Sequence, residues 1–171
     1  MPTPSPLLAF SIYLSGRNQV LLALATEITE KLDACVSNSV SPEPRARASD
    51  LMWLWTLGAY EVTRTICQAR ECFSERFYRD VARLKLDLEQ VRVPNTKMEK
   101  IKYDRKAPAI PIPSNRDPDA WDDKNQDLLV GDPANVVSAR SLLSSYAGVM
   151  SSLTIEDVRM SHEDSFRRSS E

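Results

Sequence analysis

From Leu51 to Val93 the chain carries no proline, and its apolar residues change from covering every side of a helix to covering a single stripe. At 100° per residue, Leu51, Val62 and Ile66 fall on one side with Leu54 and Gly58 next to them, while Trp53, Leu57 and Tyr60 fall opposite. A helix that is apolar all round is one buried on all sides. Ser49 and Asp50 supply N-cap oxygens ahead of it. Gly58 costs a helix roughly 0.8–1.0 kcal/mol relative to alanine, so with Ala59 beside it the position points to close helix approach. Further on, Phe77, Val81, Leu84, Leu88 and Val91 are spaced 4, 3, 4, 3. That spacing is an apolar seam on an otherwise charged helix, with Glu75–Arg79 and Arg83–Asp87 as four-residue pairs worth about 0.2–0.5 kcal/mol each. Two heptads are too few for a coiled coil and suit a helix packed inside a bundle.

The remaining elements follow from periodicity and punctuation. Val20, Leu21, Leu24, Ile28, Leu32 and Cys35 predict a first helix over about 15–37, and Pro42 and Pro44 predict a loop over 39–48. Whether 51–93 is one helix or two meeting near Cys72–Ser74 stays open, and Pro94 ends it. A polar stretch, 95–106, leads to the polyproline-like 108–113. Asp127–Val130 and Asn135–Ser138 flank Gly131-Asp-Pro-Ala134 and read as a β-hairpin; the rival is a helix starting at Asp132 with Pro133 at its first position. Ser138 then caps a last helix bearing Leu142, Leu143, Tyr146, Ala147 and Met150. The expected fold is mainly α, an antiparallel bundle of about four helices with a small hairpin or extended insertion before the last one. Its divisions are a Pro-rich apolar lead (1–14), one helical domain (15–152, insertion 107–138) and a weakly held tail (153–171).

Composition narrows the function classes. At 171 residues, 42% apolar and 27% charged, the chain suits one globular domain. Its longest apolar stretches, 7–14 and 20–25, are far shorter than a membrane span, and the N-terminus lacks the basic start of a secretory signal, so a soluble cytoplasmic protein is expected. Cys35, Cys67 and Cys72 are too few for a disulfide framework and form neither a CxxC pair nor a zinc pattern, which makes them structural thiols. The single histidine, His162, lies in the tail, so histidine-based triads and helical nucleases that pair an Arg with a His have no anchor in the core. Four scattered glycines form neither a P-loop nor a GxGxxG turn. Asp123-Lys-Asn125-Gln-Asp127 matches the start of an EF-hand loop but meets Leu128 where the turn needs glycine and Ala134 where the bidentate Glu belongs. No cofactor and no metal site are therefore expected.

Charge is unevenly placed. Residues 45–106 hold 14 Lys/Arg against 9 Asp/Glu, and 107–171 hold 6 against 11. The acidic Asp117–Asp132 can neutralise the basic Lys97–Lys106, which with an isoelectric point near 5.6 leaves nucleic-acid binding, with Tyr103 as a stacking residue, a minor reading. On the apolar helix, Glu61 and Arg64 are spaced to pair. They predict an internal ion pair that fixes packing or, with Tyr60 and with Arg140 reaching the same region, a small ligand site or enzyme pocket. Trp53 and Trp55 leave more apolar surface than two or three neighbouring helices cover, which makes them candidates for an interaction surface. The expected function is a non-enzymatic protein–protein interaction or regulatory module, self-associating or bound to a protein partner. A small-molecule site at Tyr60, Glu61 and Arg64 is the alternative.

Overall fold

The computed structural model describes residues 5–37, 43–97, 99–100, 102, 104, 106–111, 119–132 and 134–168. The chain is mainly helical: α1 (Pro6–Phe10), α2 (Ile12–Ser37), α3 (Glu43–Gln68), α4 (Glu75–Arg92), α5 (Ala139–Ser151) and α6 (His162–Arg168). Three strands, β1 (Ala120–Asp122), β2 (Asp127–Asp132) and β3 (Asn135–Ser138), lie between α4 and α5. Helix α2 packs on α3, α3 on α4, and α4 on α5. One apolar core joins side chains from Leu7 to Leu153.

The seam of α4 is buried throughout: Phe77, Val81, Leu84, Leu88 and Val91 are at most 2% exposed. Ser74 starts the helix, its hydroxyl accepting the N–H of Phe77. Leu84→Ala and Leu88→Ala are accordingly each expected to cost about 2–5 kcal/mol in a denaturant titration. Arg79→Ala, on the exposed face, should cost less than about 1 kcal/mol. Equal losses at Leu84 and Arg79 would mean that the buried face has been misassigned.

The central run divides where the chain had left two possibilities, with a 3-10 turn at Arg70–Cys72 and Ser74 separating α3 from α4. Helix α3 begins earlier than its serine cap implied, at Glu43, because Pro44 falls in the first turn, where a missing N–H leaves no helical bond unmade. Past α4, Val93–Lys97 adds a wide π turn around the buried Pro94.

The described part of the lead and the segment after α5 are bound more tightly than their composition implied. In the lead, Leu7, Phe10 and Leu14 enter the core, and the ring of Phe10 lies 4.6 Å from that of Phe73. The segment after α5 is tied by backbone bonds, Ser74 N–H to Asp157 O (2.8 Å) and Arg159 N–H to Cys72 O (2.8 Å), around a Phe73–Val158 bridge. Leu153 and Asp157 are buried there. Residues 169–171 lie outside the described residues.

The expected hairpin is a three-stranded antiparallel sheet in the order β1-β2-β3. β2 pairs with β3 in the register Val130 with Val137, as two β-branched runs around a turn imply, and Ser138 caps α5 by accepting the N–H of Ser141. The strand that was not foreseen is β1, pairing Trp121 with Leu128. Three residues are too short for alternation to show. The Asp123–Gln126 stretch between β1 and β2, read as a failed calcium loop, is a tight turn: the Asp122 carboxylate accepts from the N–H groups of Lys124 and Asn125 and from the Asn125 amide, and Gln126 takes φ 53°. Leu128 and Val130 are fully buried, and β2 packs on α4 and α5. Gly131 adopts φ 103° with Asn135 O and Gln90 O both 3.4 Å from where a Cβ would stand, a conformation and a space that favour glycine.

Candidate functional site

A groove between α2 and α3 combines uncovered apolar surface with charges beside it. Gly58 creates it. A Cβ at this position would lie 2.7 Å from Cδ2 of Leu21, so the missing side chain lets the two helices close on each other as the Gly-Ala pair implied. The indole N–H of Trp55 donates to Leu21 O at 3.1 Å, and Arg47 faces Glu27 at 3.8 Å. Contacts that rise in number along α2 thus fall along α3, so the helices run antiparallel.

Above this contact lies an open hollow of about 330 Å³, lined among others by Tyr13, Arg17, Val20, Leu54, Gly58 and Glu61. Tyr13 is 66% exposed, Val20 64% and Leu54 49%. All three line the same hollow, so their exposed apolar surface forms one patch. At the charged end, the guanidinium of Arg17 stacks 4.8 Å from the Tyr13 ring centre and donates to its hydroxyl. Arg64 Nη1 lies 2.6 Å from Glu61 Oε2.

The structure divides the residues singled out in the sequence. Glu61 and Arg64 do pair, but their side chains are 51% and 47% exposed, so the bond is a solvated one worth about 0–1 kcal/mol and not an internal pair that fixes packing. Tyr60 faces the other way, its ring 4.4 Å from Arg92 Cζ and 5.4 Å from Lys85 Nζ of α4. Arg140 holds Asp33 at 2.8 Å and donates to Gln126 O. The Glu61–Arg64 pair, Tyr60 and Arg140 thus have three separate sets of partners.

The two tryptophans also part company. Trp53 is 44% exposed, as an interaction surface requires. Trp55 is fully buried, edge-on to Tyr146 at 5.3 Å, and belongs to the core instead of the surface. Two steps along a helix turn a side chain by about 200°, which takes the two aromatics to opposite environments.

Sequence reasoning missed Tyr13, Arg17 and Val20. They lie on a helix apolar on most sides, so no polar stripe marks its outer face, and Tyr13 had been assigned to the lead. The Tyr13–Arg17 spacing of four residues was the available signal. It also missed three buried carboxylates, each engaged in holding the fold. Asp119 accepts from Ser49 and Asn95, Asp127 from Ser138 and the N–H of Arg140, and Asp157 from Ser74, Arg76 and Thr154. Burial pushes the thiols of Cys35, Cys67 and Cys72 above their ordinary range, which disfavours the reactive thiolate. Among the described residues no three His, Cys, Asp or Glu side chains gather as a metal site would require, and no helix is long and apolar enough to cross a membrane. In the basic segment, Lys102 Nζ donates to Ala107 O; Met98, Ile101, Tyr103 and Arg105 lie outside the described residues. No protein-family model, curated protein or solved structure matches the chain.

Proposed function

We propose that this chain is a non-enzymatic protein–protein interaction module that self-associates through the face formed by α2 and α3. The observation that supports this most strongly is the uncovered groove itself, where Tyr13, Val20 and Leu54 stand exposed beside the solvated charges Arg17, Glu61 and Arg64. Interfaces between soluble proteins combine these ingredients: an apolar centre, Tyr and Arg anchors, and a rim of charge of both signs. A small-molecule site is less well supported, because the groove is open and its one carboxylate already pairs with Arg64. The free cysteines suit a reducing compartment such as the cytoplasm.

Light scattering across about 1–100 μM tests the reading. The mass is expected to rise from the 19.3 kDa of one chain toward twice that value. Val20→Glu, which puts a charge into the groove on a side chain already exposed, should hold the protein at the lower mass without lowering its melting temperature appreciably. A single monomeric mass for the wild type over the whole range would contradict self-association. A thermal shift with a metabolite, abolished by Glu61→Gln, would instead support the ligand-binding alternative.

A further inference from the structure

The geometry points to a particular dimer, an inference that rests on the self-associating reading: a two-fold axis running along the groove, parallel to the helices, which lays α2 of each copy on α3 of the other and joins Arg17 to the partner's Glu61 twice. Leu21 against Gly58 and Glu27 against Arg47 set the register of the two helices within one chain, and Arg17 and Glu61 line the same end of the groove. A rotation about an axis parallel to the helices keeps heights along them unchanged and exchanges left for right. It therefore puts Arg17 opposite the partner's Glu61, and Val20 at the height of the partner's Gly58. Leu24 comes opposite the partner's Leu54 by the same operation. Each α2 also meets the partner's α3 antiparallel, as it meets its own, so the four helices have like neighbours all round.

The alternative two-fold axis runs across the helices. It lays α2 on α2 and α3 on α3, which parts every Arg17 from the partner's Glu61. The intrachain bonds do not prevent the first arrangement. A guanidinium has five N–H donors, and the Tyr13 hydroxyl occupies one; a carboxylate has about four acceptor positions, and Arg64 approaches one of its two oxygens. In an isologous interface, any such contact occurs twice, so a single charge reversal creates two like-charge contacts.

The test follows from that doubling. Arg17→Glu and Glu61→Arg, each alone, should weaken dimerisation by about tenfold or more in sedimentation equilibrium. An equimolar mixture of the two chains should recover it, because one copy then offers Glu at both positions and the other Arg at both. The chain carrying both substitutions should dimerise as well. Wild-type dimers with single variants that dimerise equally well, or with a mixture of folded chains that stays monomeric, would overturn this arrangement while leaving self-association standing. A monomeric wild type would overturn the underlying reading instead. Circular dichroism confirms the folding of each chain, and should a reversed-charge chain fail to fold, the Arg17→Ala and Glu61→Ala double-mutant cycle replaces it. A coupling of at least about threefold between the two alanine changes is then expected, and additive effects would overturn the arrangement.

Discussion

Trp55→Ala is expected to lower the stability of the fold by about 3–5 kcal/mol, and Trp53→Ala by less than about 1 kcal/mol, in urea titrations followed by far-UV circular dichroism. The two residues are separated by a single position on one helix. Trp55 is fully buried, donates through its indole to Leu21 O of α2, and meets Tyr146 of α5 edge-on. The Tyr146 hydroxyl in turn donates to Asn18 Oδ1 of α2 at 2.9 Å, and burial holds its phenol above the ordinary tyrosine range. Truncating Trp55 therefore opens a cavity where three helices meet and leaves α5 without its aromatic neighbour. Trp53 fills nothing of the kind. Comparable losses at the two positions would show that α3 is rotated from the orientation described.

The second large effect is at Asp157, where alanine should cost about 2–4 kcal/mol. Its carboxylate accepts from the Ser74 hydroxyl, from Arg76, and from both the N–H and hydroxyl of Thr154, closing a capping box over Ile155–Asp157. Since Ser74 also caps α4, one carboxylate ties the start of that helix to the segment following α5. Burial alone would raise the pKa of Asp157, but these hydrogen bonds outweigh it and hold the group down at about 2. A depressed folded pKa makes its contribution complete above the ordinary carboxylate value near 3.9 and lost as pH falls through about 2. The shift corresponds to about 1–2 kcal/mol after allowing for solvent screening. Melting temperatures of the wild type and Asp157→Asn should thus differ most above pH 4 and converge toward pH 2. A difference unchanged over that interval would mean that the charge contributes nothing to the fold.

What could be read from the chain depended on whether a residue's burial is visible in its neighbours. The α4 seam was legible because charged residues alternate with it on the helix surface, and all five seam residues are buried. Gly58 was legible as a close approach because glycine inside a helix needs a compensating contact, and Leu21 supplies it. In α3 the periodicity gave no such contrast. Apolar residues on every side implied burial on every side, yet Trp53, Leu54, Glu61 and Arg64 stand at the surface. The same ambiguity hid the outer face of α2, so the groove could not be assembled from sequence. The segment after α5 was misjudged for a different reason: besides Leu153, Val158 and Met160 it is held by Asp157 and by backbone hydrogen bonds to Cys72 and Ser74, which leave no apolar pattern. Strand β1 escaped notice because three residues carry no period.

Self-association requires that the α2–α3 face be covered in solution. A soluble nitroxide added to the isotopically labelled protein broadens the NMR signals of exposed groups, and comparing about 5 μM with about 500 μM protein isolates the effect of association. The methyl signals of Val20 and Leu54 are expected to be broadened in the dilute sample and protected in the concentrated one. Leu86 and Ile155, 58% and 57% exposed on other surfaces, should be broadened equally in both. Equal broadening of Val20 and Leu54 at the two concentrations would contradict self-association through this face.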